Sequence, residues 1–175
     1  MIAVRRIAAA TMLAALAGIS APSAHAAAPA TDDAPFLKAI HQGNLAEIAA
    51  GLSARKNATA ACVKTVGAVL VRDHRKLDVD VKALASKLHV TLSPSPSAAQ
   101  EKAMTAVQSQ VGSSAYNTAW LTTEATSHEE TLALIDRETA TGGNAEVKAA
   151  ARAARPVVAK HLELIRACEA RVKRS

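Results

Sequence analysis

From residue 33 onward the chain alternates long stretches of helical periodicity with short polar or Pro/Gly breaks. Asp33, just ahead of Pro35, predicts a helix N-cap; Leu37, Ile40, Ile48 and Leu52 mark the apolar stripe of a first helix ending near Lys56, before an Asn57-Ala58-Thr59 turn. A second helix from about Thr59 to His89 carries Val66, Val69, Leu70, Leu77, Val81, Leu84 and Leu88. It stops at Ser93-Pro94-Ser95-Pro96-Ser97, because proline cannot supply the N–H a helix needs, and Ser97 with Gln100 is a capping-box pattern that starts the next helix, over 98–111. Gly112-Ser113-Ser114 allows a bend into a long helix bearing Tyr116, Trp120, Leu121, Leu132, Leu134 and Ile135. Thr141-Gly142-Gly143-Asn144 then caps a last helix, in which Val147, Ala154, His161 and Cys168 recur every seven residues. No sustained strand pattern appears. The expected fold is an all-α bundle over residues 33–172: four long helices with a short helical crossover between the second and third.

Arg5 and Arg6, the apolar run Ile7–Ile19 and the small-residue site Ala24-His25-Ala26 predict a secretory signal peptide over 1–26, cleaved after Ala26 and followed by a flexible Ala/Pro lead over 27–32. Ile7-Ala8-Ala9 matches a twin-arginine signal poorly, so Sec export to the periplasm is expected. In that setting Asn57-Ala58-Thr59 is a turn and cap; in a eukaryotic secretory route it would be a glycosylation acceptor. No cysteine precedes Cys62, so a lipoprotein anchor is not expected. Cleavage leaves 149 of the 175 residues, about one ordinary domain, and removes two positive charges from a formal +6, leaving +4.

Half the chain is hydrophobic but only Phe36, Tyr116 and Trp120 are aromatic, a composition that suits alanine-lined helices and not a β-sandwich. The positive charge is spread along the chain without interleaved aromatics, which argues against nucleic acid as a partner. Arg166, Arg171, Lys173 and Arg174 gather where they complement the dipole at the end of the last helix. No apolar run reaches the length of a membrane span.

Projected at about 100° per residue, several polar side chains fall inside or beside the apolar arcs: His41 and Glu47 at the two flanks on the first helix, Asp73 inside the arc of the second between Val69 and Leu77 with His74 at its edge, Glu124 and His128 on the core face of the third long helix, and His161 in the middle of the stripe on the last. At about 1.5 Å rise per residue, Glu47 lies roughly 15 Å and His74 roughly 25 Å from the turn near residue 57; His128 and His161 lie similarly far from the turn near residue 142. All four therefore belong to the middle layers. Neutral imidazoles and carboxylates converging from different helices suit a divalent transition metal, with Glu47, Asp73, His74, Glu124, His128 and His161 as candidate ligands. The alternative is a buried polar network that only sets helix register. Glu124 and His128 are spaced Glu-x-x-x-His, and the Glu-x-x-His of carboxylate-bridged di-iron bundles is absent, so a ferroxidase is not expected. Phosphate loops, nucleophile elbows, His-Glu-x-x-His and Cys-x-x-Cys are absent too. If the crossover returns the chain to the end where the second helix begins, Cys62 and Cys168 meet at one end of the bundle, either bridged by a disulfide or packed as two thiols.

The ordered set Phe36-Leu37, Asn44-x-x-Glu47-Ile48, Asp73-His74, Gly112 followed by Tyr116 and Trp120, His128, and Pro156 with His161-Leu162 resembles the secreted bacterial domain-of-unknown-function family numbered four-one-four-two. That resemblance spans about residues 33–172 and implies export and a ferritin-like four-helix bundle, often labelled an outer membrane or exported protein, with no established activity. Tyr116-Asn117 stands where the family usually has Phe-Asp, and Arg155-Pro156 where it has Leu-Pro. Glu47, Asp73, His74, His128 and His161 are among its pattern positions. The function expected is binding of a divalent transition metal or a small ligand in the bundle core, without catalysis. The alternatives are a structural or interaction module with an envelope protein as partner, and, more remotely, a metal-dependent redox or peroxide-handling enzyme. Metal identity and oligomeric state are not specified by the sequence.

Overall fold

The computed structural model describes residues 32–174; the signal peptide expected over 1–26 and most of the 27–32 lead lie outside the described residues. Five helices follow in order: α1 (Ala34–Asn57), α2 (Ala61–Lys87), α3 (Ala98–Gln108), α4 (Ala115–Thr141) and α5 (Ala145–Val172). No strand occurs among the described residues, and each expected helix is present to within three residues of its expected ends. Helix α3 begins with the anticipated capping box: Ser97 Oγ accepts from Gln100 N–H, and Gln100 Oε1 accepts from Ser97 N–H.

Helices α1 and α2 form one antiparallel hairpin and α4 and α5 another, with α2 against α5. The crossover α3 runs beside α1, with Gln100 near Gly43 at one end and Gln108 Nε2 donating to Ser53 Oγ at the other. It thereby carries the chain back to the end where α2 starts, and α4 descends antiparallel to α1. Glycines bring the first hairpin together. A Cβ on Gly51 would lie 2.5 Å from the Gly67 carbonyl oxygen, and one on Gly67 would lie 2.8 Å from the Gly51 carbonyl oxygen, so only paired glycines permit this helix spacing.

The apolar core is split in two. One cluster, around Leu70, Tyr116, Trp120, Leu121 and Ile165, fills the end where Cys62 and Cys168 are joined by a disulfide. A second, around Phe36, Leu37, Val81, Ile135 and Val147, fills the other end. The few aromatics do specific work in this arrangement: the Tyr116 hydroxyl lies 2.7 Å from Ser53 Oγ, and Trp120 Nε1 donates to the Ala50 carbonyl across the α1–α4 seam.

Three sequence expectations are corrected. Leu52, placed on the core stripe of α1, is 42% exposed, because the buried face of that helix is instead made of small and polar residues including Asn44, Ala46, Glu47, Ala50 and Gly51. On α2 the buried stripe runs through Leu70, Val71, His74, Asp78 and Val81, which puts His74 inside and Asp73 at the edge, the reverse of the expected order. Asp33 occupies the N-cap position of α1 but makes no cap bond there; its carboxylate accepts from Gly143 N–H and Asn144 N–H at the start of α5.

Candidate metal centre

Between the two apolar clusters lies a polar layer built from four helices. His74 on α2, His128 on α4 and His161 on α5 are 3%, 1% and 1% exposed, and their ring centroids are 5.1 to 5.7 Å apart. One nitrogen of each ring faces a group that can only accept. His74 Nδ1–H donates to Asn44 Oδ1 (2.9 Å), His128 Nδ1–H to the Glu124 backbone carbonyl (2.8 Å), and His161 Nε2–H to Asp73 Oδ2 (3.0 Å). Those bonds leave the lone pairs on His74 Nε2, His128 Nε2 and His161 Nδ1, and these three buried atoms have no hydrogen-bond partner. A histidine held by an acceptor on one nitrogen and free on the other is the arrangement in which imidazole ligates a metal.

Two carboxylates from α1 and α4 close the layer. Glu47 is 5% and Glu124 3% exposed, and each has an unpartnered oxygen, Oε2. Ser127 Oγ–H donates to Glu47 Oε1 at 2.7 Å, and His128 Nδ1 stands 3.8 Å from the same oxygen. Burial, and then the facing Glu47 charge, push the Glu124 carboxyl well above its ordinary range, so it holds a proton. Burial also works against a charge on Glu47, but the His128 ring, the Glu124 carboxyl, His74 and the Ser127 hydroxyl together outweigh it and bring that carboxyl below its ordinary value. Burial lowers His74 to about 4 and lowers His161 as well, which keeps both imidazoles neutral and able to donate their lone pairs. One potential ligand atom from each of His74, His128 and His161 lies within 4.8 Å of the other two, and the same holds for Glu47, Glu124 and His128. His128 belongs to both sets, so the two groups adjoin within one polar layer.

Asp73, the sixth residue expected at the site, belongs to neither set. It is half-buried, held low chiefly by its bidentate pairing with Arg72, and acts behind His161 as the acceptor that orients that ring. His41 is likewise elsewhere: its Nδ1 is 2.6 Å from Asp78 Oδ1 and its Nε2 is 2.9 Å from the Ser93 carbonyl, so from α1 it ties α2 to the loop that precedes α3. Asp78 was not singled out in the sequence, although its spacing of four from His74 puts it on the same stripe. Nor was Glu138, which is 8% exposed and raised to about 6, first by burial and then by the neighbouring Asp33. Asn44 appeared only as a pattern position; its role in holding His74 depends on α1 packing against α2. Asn117 accepts from Thr59 N–H and donates to Thr59 Oγ1, so it holds the turn between α1 and α2 from α4.

A family model described as Domain of unknown function (DUF4142) matches residues 19–168. The chain belongs to this family. The match takes in every residue of the polar layer. No curated protein and no solved structure matches the chain. No described helix is long and apolar enough to cross a membrane.

Proposed function

We propose that this DUF4142 protein is exported to the periplasm, where its bundle core binds one divalent transition metal ion through His74, His128, His161, Glu47 and Glu124, with Asp73, Asn44 and Ser127 orienting the ligands. The observation that carries this reading is the convergence of three buried imidazole lone pairs, each without a partner, beside two carboxylates. A network that served only to set helix register would satisfy its own atoms, since an unpaired buried polar group costs about 1–3 kcal/mol; here each of the five residues leaves one atom unmet. The donor set, imidazole nitrogen with carboxylate oxygen, suits zinc, iron, copper or manganese. Export is supported by the signal-like N-terminus and by the Cys62–Cys168 disulfide, a bond that persists in oxidising compartments. The proposed activity is binding, and no reaction is assigned.

The test is the metal content of tag-free protein isolated from the periplasm, set beside that of a His128→Ala, His161→Ala double variant. About one equivalent in the parent and none in the variant is the expected result. Equal, substoichiometric metal in both would remove the reading.

A further inference from the structure

A cavity of about 980 Å³ opens directly onto this polar layer. On α1 its lining extends from Phe36 to Ala50, roughly 21 Å at the helical rise, so the space is elongated along the bundle. Its two ends differ. Asn44, Glu47, His74 and Glu124 line the end at the polar layer, while Phe36, Leu37, Val81, Leu84, Leu134 and Ala151 supply apolar wall to the remainder, which Lys76, Asp80, Glu130 and Arg137 also line. His128 and His161 do not line it, so the proposed metal is closed off on their side and faces the cavity on the Glu47–His74–Glu124 side. The alanines on α1 and α5 are what make the space: helices faced with Ala46, Ala50, Ala151 and Ala154 leave unfilled volume that leucines would occupy. At this size the cavity stands at the upper end of small-molecule pockets, which combine apolar walls with a few convergent polar groups.

The polar end also has an unmet donor. Asn44 is 4% exposed and spends its oxygen on His74, which leaves its Nδ2 hydrogens without an acceptor at the cavity wall. A ligand that satisfied this end would offer two oxygens side by side, one for the metal and one for the Asn44 amide, on a slim apolar body.

We infer that the cavity binds a single-chain carboxylate amphiphile, its carboxylate shared between the bound metal and Asn44 Nδ2 and its hydrocarbon chain lying among Phe36, Leu37, Val81, Leu84 and Leu134. This inference rests on the metal reading, because without a cation the ligand's carboxylate would face Glu47 directly. It differs from that reading in giving the metal a partner molecule and the cavity an occupant.

Calorimetric titration of dodecanoate into zinc-loaded, desalted protein and into metal-free protein is the test, with zinc titrated alone as a separate arm. Dodecanoate is expected to bind the zinc form with one-to-one stoichiometry and at least tenfold more tightly than the metal-free form. Ala154→Phe and Ile40→Trp, which put bulk into the cavity away from the ligands, are expected to keep one equivalent of zinc and lose dodecanoate. Equal affinity for both forms, displacement of zinc by dodecanoate, or unchanged dodecanoate binding in both folded variants would overturn the inference while leaving the metal reading intact. Absence of zinc binding in the separate arm would end both.

Discussion

In the metal-free protein each of the five proposed ligands carries one buried polar atom with no partner: Glu47 Oε2, His74 Nε2, Glu124 Oε2, His128 Nε2 and His161 Nδ1. An ion that ligates them binds the folded chain and not the unfolded one, so it raises stability by mass action. At a free zinc concentration one hundred times the dissociation constant that gain is about 2.7 kcal/mol. For a domain of this length, roughly 3–5 °C of melting temperature accompanies each kcal/mol, so zinc is expected to raise the midpoint by roughly 8–14 °C. The informative comparison is Glu124→Gln. Burial and the Glu47 charge keep the Glu124 carboxyl protonated, so the amide replaces one neutral group by another of the same shape, and the metal-free midpoint should stay within a few degrees of the parent. Its zinc-induced rise should shrink to less than half, because the amide cannot supply an anionic oxygen. His128→Ala, His161→Ala should lose the rise altogether, from a lower metal-free midpoint caused by the cavities left behind. Circular dichroism melts of all three proteins, with zinc and with chelator, give the answer. A parent midpoint that zinc leaves unmoved, or an equal rise in all three, would refute the reasoning.

Glu138 is raised to about 6 in the fold, first by burial and then by Asp33, against an ordinary value of 4.5. The folded chain therefore holds this proton more tightly than the unfolded one, and stability is lost as pH rises from about 4.5 through about 6. Glu138→Gln should remove that slope and melt at least as high as the parent above pH 6; identical melting–pH curves for both proteins would count against the assignment. The Cys62–Cys168 bridge joins residues 106 apart, a loop for which chain entropy gives about 4.7 kcal/mol. Reduction is expected to lower the midpoint by roughly 14–24 °C in melts with and without reductant, and an unchanged midpoint would mean the bridge does not constrain the unfolded chain.

Much of the fold was legible because helices announce themselves locally. Pro94 and Pro96, the Ser97–Gln100 box and Gly142-Gly143-Asn144 act within a few residues, and they placed the helix ends close to those observed. Both cysteines came together as the crossover geometry required, since only chain direction was needed to put them at one end. Helical projection also brought out all five residues of the polar layer, because a charged or imidazole side chain on an apolar stripe is unusual in any helix.

What the sequence left open depended on how the helices rotate and how far apart they stand. The large apolar side chains of α2 place its arc toward Val69 and Leu77, about one residue from the observed stripe, whereas the close Gly51–Gly67 approach turns Leu70, His74 and Asp78 inward. That rotation separates His74, which offers a free nitrogen to the layer, from Asp73, which holds His161 in place behind it. The same limit applies to Leu52, apolar by type but directed to solvent, and to Asp33, whose partners lie 110 and 111 residues away. The sequence by itself determined an alanine-lined helical bundle and which polar residues its helices carry inward. Only the tertiary structure decided which of them meet, which nitrogens are left free, and that thin helices leave a cavity beside them, because convergence is a property of helix spacing and rotation and not of any one helix's pattern.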